Sequence, residues 1–131
     1  MSGGDTAPVA LVTGAAGGIG SAVCRRFLAG GWRVAAVDVQ PVELNAIDEQ
    51  PVAGTDRMLA IPADLLQVAQ CRAAVEQAVA WAGRLDAVIN AAGLWTEGAS
   101  AQTTEAEWDR VLGVNLKGLY FVTSAAIPHL A

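Results

Sequence analysis

The sequence predicts an α/β fold, a doubly wound parallel sheet. Three observations carry that prediction. Four short apolar runs read as buried strands, amphipathic helical stretches separate them, and a glycine-dense turn, TGAAGGIG at 13–20, stands directly behind the first run. Strands covered on both faces are continuously apolar, and strand–helix alternation with short connections implies right-handed crossovers. The 131 residues are 53% hydrophobic and 16% charged, which excludes a disordered chain and supplies a core for one domain over 1–131.

The elements follow in order. Residues 1–7 read as a disordered lead, and 8–13, PVALVT, as the first strand. Ile19, Val23 and Phe27 recur at helical spacing until Gly30 and Gly31 supply a stop. Residues 33–39, RVAAVDV, form a second strand closed by Pro41, with a short helix expected around 43–48. Residues 58–64, MLAIPAD, form a third. Val68, Cys71, Val75, Val79 and Ala82 make one face of a helix that Gly83 ends. Residues 85–90, LDAVIN, form the fourth strand, followed by the small-residue run AAG. Thr104 and Glu107 give a capping box for a last helix expected to reach Ala131.

Charge and composition narrow the partners. A net charge of −5 with no Lys/Arg cluster argues against nucleic acid and against an anionic membrane surface. The N-terminus lacks the basic and apolar regions of a secretory signal, and no uninterrupted apolar run approaches the ~20 residues that span a bilayer. Cys24 and Cys71 are too few for a disulfide framework and read as buried free thiols. The expectation is a soluble cytoplasmic protein.

The glycine turn has a chemical reason. In a parallel sheet, ligands bind beyond the carboxyl ends of the strands, where a helix N-terminus offers unpaired N–H groups to a phosphate. Glycine lets the main chain come close enough to use them. Gly14, Gly18 and Gly20 give G-x-x-x-G-x-G rather than the Rossmann G-x-G-x-x-G. Asp38 ends the second strand, where a carboxylate accepts from both hydroxyls of an adenosine ribose. A 2′-phosphate about 4 Å away is instead repelled by ~4 kcal/mol per charge pair at an effective dielectric of ~20, so the sign favours NAD over NADP.

These motifs, with ADL at 63–65, NAAG at 90–93 and Asn115 within VNLKGLYFVT, resemble the classical short-chain dehydrogenases/reductases over nearly the whole chain. The resemblance implies a Rossmann-like domain in which Gly14, Ala16, Gly17, Gly18 and Gly20 wrap the pyrophosphate and adenosine side of NAD. Ile19 would pack beneath the nicotinamide half. Asp38 would hold the adenine ribose, Asp64 the adenine amino group, and Leu65 would line the ring. Asn90, Ala91 and Gly93 would form the wall along which the cofactor runs. At Ala16 and Gly17 no basic residue, such as NADP-preferring relatives often carry, is present.

The chain also departs from that family. Its reaction uses an Asn, a Ser, and a Tyr and Lys spaced Y-x-x-x-K, the phenol exchanging a proton with the substrate oxygen. Here the single lysine, Lys117, precedes the single tyrosine, Tyr120, and Ser124 stands where the lysine would fall. Tyr120 and Ser124 read as packing or interface residues, and His129 has no partners for a metal site. Asn115, flanked by Gly113 and Gly118, suggests a helix kink that frees a carbonyl and is the one catalytic position present.

At about half the family's length, the chain is expected to be truncated after the fourth strand and its helix. A fragment, a partial gene product and half of a two-chain enzyme all fit. The last helix joins a subunit bundle in family dimers, so a homo-oligomer is expected, with the small-molecule alcohol or carbonyl substrate bound only by a longer enzyme. Trp95 and Glu97 would edge its pocket. Three functions stand: an NAD-dependent oxidoreductase whose dinucleotide half this is, a non-catalytic NAD-binding module, and an inactive remnant whose glycines serve the fold alone.

Overall fold

The computed structural model describes residues 7–42 and 57–130. The helix expected at 43–48, most of the N-terminal lead, and Ala131 lie outside the described residues. Four strands, β1 (Val9–Thr13), β2 (Arg33–Asp38), β3 (Met58–Pro62) and β4 (Ala87–Asn90), pair in parallel in the order β3-β2-β1-β4. Thr13 lies opposite Val37 on one side and Asn90 on the other, so three strands end at the same level. That shared edge carries the site.

Helix α1 (Gly18–Ala29) covers one face, and α2 (Val68–Ala82) covers the other. Under α1 lie Val12, Ala15, Cys24, Leu28, Val34 and Ala36. Under α2 lie Leu11, Val37, Ile61, Cys71, Val75 and Val122, among others. All five residues of β1 are buried, which is why its sequence is apolar without alternation.

The buried stripe of α1 is shifted one position from the expected face. Gly20, Ser21, Cys24 and Leu28 face the sheet, Val23 and Phe27 are half-buried, and Ile19 is 76% exposed. Small residues at 20, 21 and 24 let the helix lie close to the strands, a choice that hydrophobicity alone does not report. In α2 the inner face is Cys71, Ala74, Val75 and Ala78, and Gly83 closes the helix at φ +76°.

The strand ends are shorter than their apolar runs. Val39 is exposed beyond β2, and Ala63 and Asp64 lie past the end of β3, where the Ala63 N–H still donates to the Asp38 carbonyl at 3.2 Å. Leu85 is separated from β4 and makes a lone parallel bridge with Leu130.

The last helix departs most from expectation. The Thr104–Glu107 capping box opens α3 (Glu105–Leu112), but a π-helical segment, Gly113–Gly118, interrupts it before α4 (Leu119–Ala126) and a 3₁₀ turn at Ile127–His129. Val122 is fully buried, as is Ala126. Among the described residues, one run, Glu105–His129, is long and apolar enough by length and composition to cross a bilayer. Its inner side packs into the α2 face of the sheet through Val122 and Ala126. Leu116, Tyr120 and Ile127 lie outward, each about three-fifths exposed.

Candidate functional site

The ends of β1, β2 and β4 open into a crevice of about 370 Å³. Gly14, Gly17, Asp38, Asp64, Leu65, Ala91 and Gly93, all singled out from sequence, line it. Sequence reasoning missed Ala92, Leu94, Arg110 and Val114, which also line it. Arg110 and Val114 are one helical turn apart, and that spacing was the available signal.

The glycines of the turn divide into two kinds. Gly14 sits at φ +67°, and a β-carbon on it would come within 2.7 Å of the Ala92 backbone. A β-carbon on Gly20 would lie 1.9 Å from the Gly14 carbonyl oxygen. Both are required by the fold. Gly18 is different: a β-carbon there would meet nothing within 4 Å. The fold has no packing use for the missing side chain, so the open space above Gly18 is available to a ligand.

Helix α1 begins at that point without a side-chain cap and without an acidic residue in its first turn. Its leading N–H groups and the positive end of the helix dipole are therefore offered outward. An anionic group is the natural complement. The residues present fit a dinucleotide, with N–H donors for phosphate beside carboxylates for hydroxyl and amino groups.

Asp38 is built into this ground. One carboxylate oxygen accepts from the Ala16 N–H at 2.9 Å and the other from the Gln40 N–H at 2.9 Å. It joins the glycine turn to the end of β2, 22 residues away. Ala15 N–H adds a bond to the Val37 carbonyl at 3.1 Å.

The opposite wall is held by Thr13, Asn90, Thr123 and Asn115. Thr13 Oγ1 accepts from the Ala92 N–H at 3.2 Å, and Asn90 donates to Thr123 Oγ1 at 3.0 Å. Asn90 Oδ1 is buried with no partner among the described residues. Asn115 Oδ1 accepts from the Leu94 N–H at 2.7 Å, and its Nδ2 donates to the Leu94 carbonyl at 2.6 Å. The expected kink is thus a π segment whose asparagine pairs with the backbone of the wall.

Gly113 and Gly118 have packing roles. A β-carbon on Gly118 would lie 2.8 Å from the Leu65 carbonyl, and one on Gly113 2.6 Å from the tip of Leu66. The π segment therefore touches both walls of the crevice.

Other candidates lie apart. Ala16, Gly18 and Ile19 are exposed beside the crevice, and Gly20 is buried behind it. Tyr120 is 61% exposed and packs edge-to-face on Phe121. Ser124 and His129 are exposed, and Trp95 is 76% exposed beyond Leu94. Burial pushes the Cys24 thiol up to about 12 and raises that of Cys71, so neither forms a thiolate nucleophile at neutral pH.

Residues 8–131 match the family model described as short chain dehydrogenase. A putative ketoacyl reductase of granaticin polyketide synthesis from Streptomyces violaceoruber is 39% identical over 128 residues, 95% of this chain and 50% of that protein. A probable galactose dehydrogenase from Rhizobium meliloti is 39% identical over 92% of this chain and 47% of its own length. The chain thus spans about half the length of the relatives it matches.

Among solved structures, a 3-ketoacyl-(acyl-carrier-protein) reductase from Brucella melitensis complexed with NADH superposes with a TM-score of 0.83 at 35% identity, over 93% of this chain and 50% of that one. A blue fluorescent protein from a metagenomic library, in complex with NADPH, gives 0.84 at 33% identity, over 94% and 51%. With its parallel sheet, glycine turn and asparagine-bearing π segment, the chain belongs to the short-chain dehydrogenase/reductase family.

Proposed function

We propose that this chain is the NAD-binding part of an oxidoreductase that interconverts an alcohol and a carbonyl. Asp38 carries the reading. Its carboxylate stands at the end of β2 in the crevice wall, tied to the glycine turn, with lone pairs left for the ribose hydroxyls. A 2′-phosphate would meet that charge, and no lysine or arginine lies at 14–20 to offset it. Relatives hold NADH or NADPH, so the preference rests on this residue.

Gly18 and the uncapped start of α1 take the pyrophosphate, and Asp64 and Leu65 take the adenine. A nicotinamide held in this crevice would supply or accept the hydride. Asn115 holds the wall beside it through Leu94. The proton-transferring Ser and Y-x-x-x-K are not written in these residues, so binding without turnover is the activity proposed for the chain itself. The exposed face of Leu116, Tyr120 and Ile127 is proposed to pair with a second copy. Light scattering tests this, with a monomer counting against it.

Calorimetric titration with NADH and NADPH tests the main reading. NADH binding with NADPH weaker by about tenfold or more is the expected result. Equal binding removes the role of Asp38. No binding by the folded chain favours the remnant reading, in which the glycines serve geometry alone.

A further inference from the structure

The turn between β3 and α2 presents Asp64 to the crevice, and some of its hydrogen bonds are internal. Asp64 Oδ1 accepts from the Leu66 N–H at 3.0 Å, and the Asp64 carbonyl accepts from the Gln67 N–H at 3.0 Å. Among the described residues two side chains of α2 bond to the turn from outside: the Cys71 thiol donates to the Leu65 carbonyl at 3.5 Å, and the Asp64 N–H donates to Gln70 Oε1 at 2.7 Å, the one outside bond that holds Asp64 itself. Gln70 lies in the first turn of α2, where a glutamine ordinarily reaches back to the N-cap N–H. Here the N-cap residue, Gln67, makes no side-chain cap, and Gln70 reaches past it to a residue that lines the crevice.

We propose that Gln70 is a positioning residue that fixes Asp64 to read the amino group of an adenine ring, and so sets base specificity. The inference rests on the dinucleotide reading of the crevice. With its N–H tied to Gln70 and Oδ1 tied to Leu66, Asp64 keeps Oδ2 as its free acceptor. An ionised carboxylate only accepts, so it pairs with the amino group of adenine and repels the oxo group of hypoxanthine. Without the Gln70 acceptor the Asp64 N–H loses its partner, and the residue that carries the carboxylate loses its own bond to α2.

The test is the ratio of affinities of the 131-residue protein for NADH and for its hypoxanthine analogue. Gln70→Met removes the acceptor but keeps length and helix propensity; Gln70→Glu keeps an acceptor oxygen. The native chain is expected to prefer NADH. Gln70→Met lowers the ratio about tenfold by weakening NADH alone, and Gln70→Glu stays within about twofold of native. An unchanged ratio in Gln70→Met, equal weakening of both ligands, or the same loss in Gln70→Glu overturns the proposal. A native chain that binds both dinucleotides equally also overturns it, while leaving the dinucleotide reading in place. A folded native chain that binds neither removes that reading, and this one falls with it. Gln70 is exposed, and thermal melts confirm that each variant folds.

Discussion

β1 and β4, two of the strands that end at the crevice, are held in different ways. β1 is buried along its whole length between β2 and β4, whereas every residue of β4 is half-buried. The glycine turn rests on a complete core, with a single side-chain tether from Asp38 to the Ala16 N–H. The wall after β4 depends on side chains: Thr13, Asn90 with Thr123, and Asn115. One half of the crevice is set mainly by packing and the other by a set of discrete hydrogen bonds. The two should therefore fail differently.

Gly20→Ala strikes the packed half hardest. Its β-carbon would sit 1.9 Å from backbone that cannot step aside, so a loss of about 3 kcal/mol or more is expected, with dinucleotide binding abolished. Denaturant melts and titration check both. If the variant keeps native stability, the fold does not require a glycine at 20.

Asn115→Ala strikes the hydrogen-bonded half. It leaves the Leu94 N–H and carbonyl without their partners, for an expected loss of about 2 kcal/mol. Hydrogen exchange should rise at residues 93–95 while β1 stays protected.

A smaller effect separates the strands at the far end of the sheet. Asp86 accepts from both Arg84 and the Val9 N–H, and the arginine holds its carboxyl below the ordinary range. A depressed carboxyl contributes stability above its unfolded value and loses it as pH falls through the lower folded value. Asp86→Asn should therefore melt below native at pH 7, and the gap should close below about pH 4. A gap that persists in acid would show that the charge is not what joins β1 to β4.

Gly18→Ala has the smallest effect on folding, within about 0.5 kcal/mol, because its β-carbon meets nothing. Its effect on NADH affinity should nonetheless be plain in a titration. That pairing of an intact melt with weakened binding distinguishes a ligand glycine from a fold glycine.

The four strands and the glycine turn were legible because apolar runs and residues without a β-carbon report directly on burial and close approach. The kink at Asn115 was legible as a conflict of propensities, three poor helix formers within six residues. Its π geometry was not, since the partners of Gly113 and Gly118 lie at Leu66 and Leu65, far off in sequence. The inner face of α1 was misjudged at Ile19 because the largest residue there faces outward and small ones pack inward. Gln70 carried no signal at all: an exposed glutamine in a first helical turn reads as solvated until its partner is seen.

The bond between Asp38 and the Ala16 N–H bears on any attempt to reprogram the cofactor. Replacing Asp38 with a residue that welcomes a 2′-phosphate also cuts the tether that holds the glycine turn to β2. A neutral acceptor at 38 keeps the tether, and the new positive charge then belongs at 16 or 17, where the loop is exposed. Changing the nucleotide this crevice prefers is therefore a two-site problem, and an arginine at 38 alone would trade one anchor for another.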